Sequence, residues 1–189
     1  MLNGFMVGYN GSMFSESDGL VAMGGTQHQT EENGSVKETV IYRDNSEEIE
    51  VRNIIKSFPM LNIKEKWIEV TNMSKNDINV TKIDSYHGML PKCNYMLKYY
   101  KSQWGKEFMP VDLPLDGTRI LEATSGRSSN GTHPWFSVIG EDGSILTCSI
   151  AWSGNWIARF EPNSIEGYHL SGGLSNWNFL KKTGTRTNA

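Results

Sequence analysis

Asn-Gly and Asp-Gly pairs punctuate this chain, among them Asn10-Gly11, Asp18-Gly19, Asn33-Gly34, Asp116-Gly117, Asn130-Gly131 and Asp142-Gly143. Such pairs favour tight hairpins, because Gly, Asn and Asp tolerate the positive-φ backbone that those turns need. No helical stripe of useful length lies between them. Short β-rich runs do, and they predict strands near 3–8, 37–42, 47–56, 61–72, 77–87, 94–101, 118–124, 135–140, 144–152, 155–161 and 165–170. Many short strands separated by turn chemistry point to an all-β sandwich or barrel. Along 144–152, Leu146, Cys148, Ile150 and Trp152 share a large apolar face, and Ile145, Thr147, Ser149 and Ala151 share a smaller one. Along 61–72, Ile68 and Val70 are expected to face inward, with Trp67 and Glu69 on the other side. Residues 105–117 hold two prolines and no period, so they read as an ordered surface loop. One domain is expected over 1–180, followed by a polar, frayed tail at 181–189.

Composition narrows the class of partner. The 189 residues carry a net charge of −3 with 21% charged side chains, which argues against the basic stripe of a nucleic-acid binder. No apolar run approaches the roughly 20 residues that span a bilayer as a helix, so no membrane partner is expected. The start, MLNGFMVGYN, lacks a basic segment and a clean apolar segment, and the expectation is a cytoplasmic protein. Cys93 and Cys148 lie far apart and outside any CxxC pair, which reads as two buried thiols. Sequons begin at Asn10, Asn33, Asn72, Asn79 and Asn130, as chance allows in a Gly/Asn/Ser-rich chain. Six tryptophans suggest either a thick aromatic core or a carbohydrate-facing surface.

A catalyst is hard to find. The four histidines, His28, His87, His133 and His169, have no H-x-x-x-H or H-x-E spacing, so no metal and no cofactor is expected. Glu47, Glu48 and Glu50 read as a solvated charge run. Lys82-Ile83-Asp84 superficially matches the Lys-x-Asp of some glycosidases, but it falls inside a strand of an all-β chain. A mutarotase-type enzyme would need a His and a Glu at one sugar face, and His169 near Glu166 is a thin candidate for that pair. No residue is assigned a catalytic role.

One stretch asks for more than a core. From Thr124 to Trp156 the chain reads TSGRSSNGTHPWFSVIGEDGSILTCSIAWSGNW, with Arg127 as its one basic group. The segments SGRSSNGTHPWFSVI and SIAWSGNW resemble the signature of the N-terminal domain of glycoside hydrolase family 36, the α-galactosidases and their relatives. The matching positions are Gly126, Arg127, Ser128 and Ser129, then Pro134, Trp135 and Phe136, then Trp152, Ser153, Gly154, Asn155 and Trp156. QWGKE upstream and WIEVTNMSKNDINVTKIDS are also similar to family segments. The resemblance covers about 60–170 and is weak over 1–58. It implies a β-supersandwich of the galactose-mutarotase-like type, built of antiparallel sheets. It also implies a (β/α)8 catalytic barrel as the partner domain, with 181–189 as the approach to it. In some members a neighbouring subunit lends a Gly-Asp-x-Arg-like loop to the active site, and that loop is not found here.

The resemblance marks Arg127, Ser128, Trp135, Asn155 and Trp156 as residues for carbohydrate or interdomain contact. Arg127 has a planar fork suited to loop carbonyls or a carboxylate. Ser128 and Ser129 are expected to tie the turn through their side chains. Pro134 would fix the entry to a strand, with Trp135 and Phe136 on opposite faces. Trp152 and Trp156 are expected in the core, Trp156 with interdomain contact or sugar stacking as alternatives. Gly154 is expected in a conformation that other residues resist. Three functions follow: a non-catalytic domain of an α-galactosidase, a free-standing carbohydrate-binding or lectin-like sandwich, and a mutarotase-like enzyme. The partners implied are the barrel, an α-galactoside sugar and a second copy of the chain.

Overall fold

The computed structural model describes residues 2–46, 48–175, 179–181, 184 and 186–189. Its strands are β1 (Gly4–Tyr9), β2 (Ser12–Ser15), β3 (Leu20–Ala22), β4 (Gln27–Thr30), β5 (Val36–Asp44), β6 (Ile49–Phe58), β7 (Ile63–Asn72) and β8 (Ile78–Leu90). They continue as β9 (Tyr95–Gln103), β10 (Lys106–Pro114), β11 (Arg119–Ala123), β12 (Thr132–Gly140), β13 (Ile145–Ser149), β14 (Trp156–Asn163) and β15 (Gly167–Leu174). The last two are β16 (Phe179–Lys181) and β17 (Arg186–Asn188). A single 3-10 turn, Pro59–Leu61, joins β6 to β7. Among the described residues no helix is long and apolar enough to cross a membrane. The fold is all-β with antiparallel pairing, as the turn spacing implies.

Contacts divide the chain into two units, and the division falls inside β8. One unit is Asn3–Tyr86 with Trp177–Ala189. Its six-stranded sheet runs β17-β7-β6-β5-β3, with β4 also on β5. Ile68 and Val70 are fully buried, as their alternation requires, beside Val51 on β6. Phe5 and Val7 of β1 are equally buried. Tyr9 donates to Asp44 Oδ2 at 2.9 Å, and Asp44 Oδ1 accepts the Ile49 amide at 3.0 Å. Burial and the Asp44 carboxylate push the Tyr9 hydroxyl well above its ordinary pKa. Lys82 ion-pairs with buried Asp84 at 3.1 Å, a structural use of that Lys-x-Asp.

The charge run is not a solvated turn throughout. Glu50 is 5% exposed and sits between Arg43, at 2.9 Å, and Arg52, at 3.0 Å. Its place on β6, opposite Arg43 on β5, buries it under two guanidinium groups. Glu47 lies outside the described residues. The tail also differs from expectation. Arg186–Asn188 pairs with β7, and Ala189 exchanges backbone hydrogen bonds with Ile68. Lys182, Thr183 and Thr185 lie outside the described residues.

The second unit is Met1–Leu2 with His87–Asn176. It holds a four-stranded sheet, β10-β9-β12-β13, and the run β11-β14-β15. Phe136 of β12 is fully buried and meets Phe160 of β14 edge-on at 5.1 Å. Asp142-Gly143 turns β12 into β13, as expected. The face of β13 that carries Leu146 and Cys148 is only half-buried, because β13 is an edge strand. Both cysteines are free, and burial pushes the Cys148 thiol up to about 11.

Residues 105–117 are not a loop: Lys106–Pro114 forms β10 at the other edge. The prolines hid the strand yet suit its place. The Leu115 amide donates to Tyr95, and pairing then alternates, so Pro110 and Pro114, opposite Tyr100 and Met96, fall where an N–H would point away from β9. Prolines there block the open edge without losing ladder bonds. Val111→Pro should therefore cost about 3 kcal/mol or more. Pro110→Val should stay within about 0.5 kcal/mol while promoting self-association. Urea unfolding and sedimentation velocity check both arms.

Acid stability tests the Glu50 ladder. Burial pushes its carboxyl up, but hydrogen bonds from Arg43 and Arg52 outweigh that and hold it below the ordinary value. A depressed carboxyl stabilises the fold above its unfolded pKa, and that contribution is lost as pH falls through the folded one. Glu50→Gln should lower the urea midpoint at neutral pH and narrow the gap to wild type below about pH 4.

Candidate functional site

The 125–131 loop and the 152–156 turn form one corner of the unit His87–Asn176. Gly126, at φ +82°, begins the fold-back of the loop, a backbone state that suits glycine. Its amide donates to Asn155 Oδ1 at 2.6 Å. The Ser128 amide donates to the Ser153 carbonyl at 3.3 Å, and the Trp156 indole Nε1–H donates to the Ser128 carbonyl at 2.7 Å. Within the loop, Asn130 donates from its amide to the Arg127 carbonyl at 3.2 Å and from its side chain to Ser125 Oγ at 2.7 Å. The loop closes on β9, where the Ser102 amide donates to the Gly131 carbonyl at 2.8 Å.

This geometry revises several expected roles. Ser128 ties the turn through its backbone, and among the described residues neither its hydroxyl nor that of Ser129 makes a hydrogen bond. Trp156 is fully buried, so it has no face for a sugar; its indole holds the loop from beneath. Gly154 is not at positive φ; a Cβ there would lie 2.7 Å from Trp152 Nε1, so close approach is what demands glycine. Trp152 follows the end of β13 and is half-buried. Asn155 caps the corner from both ends, since its carbonyl also accepts the Ser175 amide at 3.2 Å. Pro134 falls inside β12, where the register on β9 shifts between Thr132 and Phe136.

Arg127 is exposed, and among the described residues its guanidinium makes no hydrogen bond or ion pair. The corner thus presents a cation that it does not itself neutralise. The loop does not need the guanidinium, because backbone and amide groups already hold it.

Trp135 belongs to a different cluster of the same unit. Phe136 points into the core, and Trp135 lies half-buried on the other face, 5.2 Å from the Tyr100 ring. Phe108 stacks on Tyr100 at 4.2 Å and meets His133 edge-on at 4.8 Å. Phe108 holds a left-handed φ of +54° at the bulge of β10, an uncommon state for a bulky residue. Ser102 Oγ locks that bulge, hydrogen-bonding His133 Nε2 at 2.6 Å and accepting the Phe108 amide at 2.9 Å. Trp104, at the tip of the β9–β10 hairpin, is fully exposed, and Phe108 and Met109 are about half exposed. Reading 105–117 as a loop concealed these residues, because a loop gives no register that would bring Phe108 beside Tyr100.

The histidines gather differently than expected. His169 Nδ1 lies 3.1 Å from His87 Nε2, while Glu166 sits exposed in a turn capped by Asn163. Among the described residues no three His, Cys, Asp or Glu side chains converge as a metal site.

Residues 13–181 match the glycosyl hydrolase family 36 N-terminal domain. The chain belongs to that family. It is 24% identical over 154 residues to alpha-galactosidase 2 of Hypocrea jecorina, covering 78% of this chain and 21% of that protein. Among solved structures it resembles the family 36 α-galactosidase AgaB of Geobacillus stearothermophilus, with TM-score 0.85, 17% identity, and coverage of 97% of this chain and 28% of that one. The α-galactosidase of Lactobacillus brevis gives TM-score 0.84, 17% identity, and 97% and 27% coverage. The chain therefore spans about a fifth to a quarter of the length of these relatives. At such identity the structural likeness carries the fold, which is the sandwich that the Gly-Arg-Ser-Ser and Trp-Ser-Gly-Asn-Trp motifs implied.

Removing the indole donor tests the corner. Trp156→Phe keeps a ring in the core but orphans the Ser128 carbonyl, and should cost about 1–3 kcal/mol in urea unfolding. Asn155→Ala should cost a similar amount, whereas Arg127→Ala should leave the midpoint unchanged.

Proposed function

We propose that this chain is the non-catalytic N-terminal domain of an α-galactosidase-type glycoside hydrolase. It packs against a (β/α)8 catalytic barrel and supports the shape of the sugar site. The observation that carries this reading is the corner: a loop fixed by six backbone and side-chain hydrogen bonds that leaves Arg127 exposed and, among the described residues, without a hydrogen bond or ion pair. A rigid platform with an unneutralised cation suits a carboxylate or carbonyl on another domain. The exposed Trp104, with Phe108 and Met109 beside it, adds apolar surface of the kind that a second domain covers. Family membership supports the reading, since the matched relatives are larger α-galactosidases.

The chain alone should release no nitrophenol from nitrophenyl α-galactoside above the buffer rate. Turnover comparable to a complete enzyme would contradict the proposal. In a complete enzyme carrying this domain, Arg127→Ala should lower the melting temperature or the activity of the whole while leaving the isolated chain as stable as wild type.

A further inference from the structure

The two edges of the sheet β10-β9-β12-β13 are built differently. At β10, Pro110 and Pro114 stand where N–H groups would point outward, and the strand bulges at Phe108. Both are devices that keep an edge from pairing with another chain. β13 has neither. Its register on β12 runs unbroken, from Ile145 opposite Ile139 to Ser149 opposite Trp135. From Ser144 to Ala158 the chain carries no charge and no proline.

Hydrogen bonds at both ends of β13 fix which groups face out. The Gly140 amide donates to the Ser144 carbonyl, and the Ile150 amide donates to the Pro134 carbonyl, each at 2.8 Å. Antiparallel bonding alternates, so Leu146 and Cys148 also turn their backbone groups to β12. Ile145, Thr147 and Ser149 turn theirs the other way. Among the described residues nothing bonds those outward groups. The three side chains are exposed too, Ile145 at 68%. An uncharged row of unpaired N–H and C=O groups is a template for another strand.

The sequence of β13 selects a second copy as that strand. A two-fold axis through Thr147 lays β13 antiparallel to itself. Thr147 then faces its own counterpart, and Ile145 faces Ser149 of the second copy. These are the hydrogen-bonded pairs, so every outward N–H meets a C=O. Moving the axis to Leu146 or Cys148 leaves Ser149 or Ile145 without a partner inside β13. Between the bonded pairs, Leu146 meets Cys148 of the second copy at the closer, non-hydrogen-bonded spacing. That contact covers the face that β13 leaves half-buried in one chain. With no charge on the strand, no like charges oppose each other. A two-fold contact is closed, so assembly stops at the dimer.

We propose that β13 is a homodimer edge, through which two copies join their four-stranded sheets into one continuous sheet by antiparallel pairing centred on Thr147. The inference goes beyond the accessory role, and either can fail without the other.

Sedimentation equilibrium of the 189-residue chain tests it. The expected result is a monomer–dimer equilibrium with Kd on the order of 10–100 μM, since so short a strand pair buries less than the roughly 1,200–2,000 Å² of a standard interface. Thr147→Pro removes an outward N–H and no bond to β12, and should weaken association about tenfold or more. Thr147→Val loses only the hydroxyl contact with Ser137 and should dimerise like wild type. If Thr147→Pro fails to fold by near-ultraviolet circular dichroism, Thr147→Lys decides, because it sets two like charges directly opposite each other. A disulfide reads the register. In a Cys93→Ser background, Leu146→Cys places a thiol opposite Cys148 of the second copy, at a Cα separation of about 4.5 Å that a disulfide spans. Diamide should convert that variant to a reducible dimer and leave Cys93→Ser alone uncrosslinked. A chain that stays monomeric up to about 1 mM overturns the proposal. So does a dimer that the folded Thr147→Pro or Thr147→Lys variant leaves intact, that Leu146→Cys fails to crosslink, or that Cys148 crosslinks by itself.

Discussion

The hydrogen bond from the Trp156 indole to the Ser128 carbonyl is the constraint on which the corner depends. A tryptophan buried without a partner would leave its N–H costly. Here the partner is the backbone of a polar loop, so satisfying the core and fixing the loop are one event. Trp156 opens β14 inside the sheet, and the hydrophobic stability of that strand is thereby transmitted to residues that bury almost nothing themselves. Asn155, one position earlier, does the same for Gly126. The exposed Arg127 inherits its position from these two bonds.

Polar burial works differently in the unit Asn3–Tyr86. There near neighbours in the fold supply the partners: Arg43 across on β5 and Arg52 two residues along β6 for Glu50, Tyr9 of β1 and a backbone amide for Asp44. Lys66 is an extreme case. Burial lowers its pKa to about 8, although the Glu16 carboxylate opposes the shift, and its ammonium is held by the carbonyls of Gly4 and Ser85. Among the described residues Asn53 Oδ1 is an exception in this unit's polar core, a buried acceptor with no hydrogen bond, while the Asn53 Nδ2 donates to the Asn3 carbonyl.

Much of this was legible in the sequence, for local reasons. The Asp142-Gly143 hairpin and the inward Ile68 and Val70 follow from turn chemistry and period two, which neighbours in sequence determine. What failed depended on position in the sheet. Pro110 and Pro114 argued against a strand until β10 proved to be an edge, where their missing N–H groups are harmless. Glu50 looked solvated because only register brings Arg43 opposite it and only the sheet buries it, although Arg52 lies two residues along the same strand. β2, β3 and β4 were too short for a period to show. At the corner, the motif residues Gly126, Ser128, Asn155 and Trp156 meet, but Ser128 serves as an acceptor through its backbone carbonyl, which no side-chain identity reveals.

The account rests on the loop 125–131 being as firmly held as the strand beneath it. Hydrogen exchange of the Trp156 indole N–H and the Gly126 amide measures that directly. Protection close to that of amides in the centre of β14 is the predicted result. Exchange as fast as in the exposed Asn33-Gly34 turn would mean that the corner is no platform, and the reading of Arg127 as a presented group would fall with it.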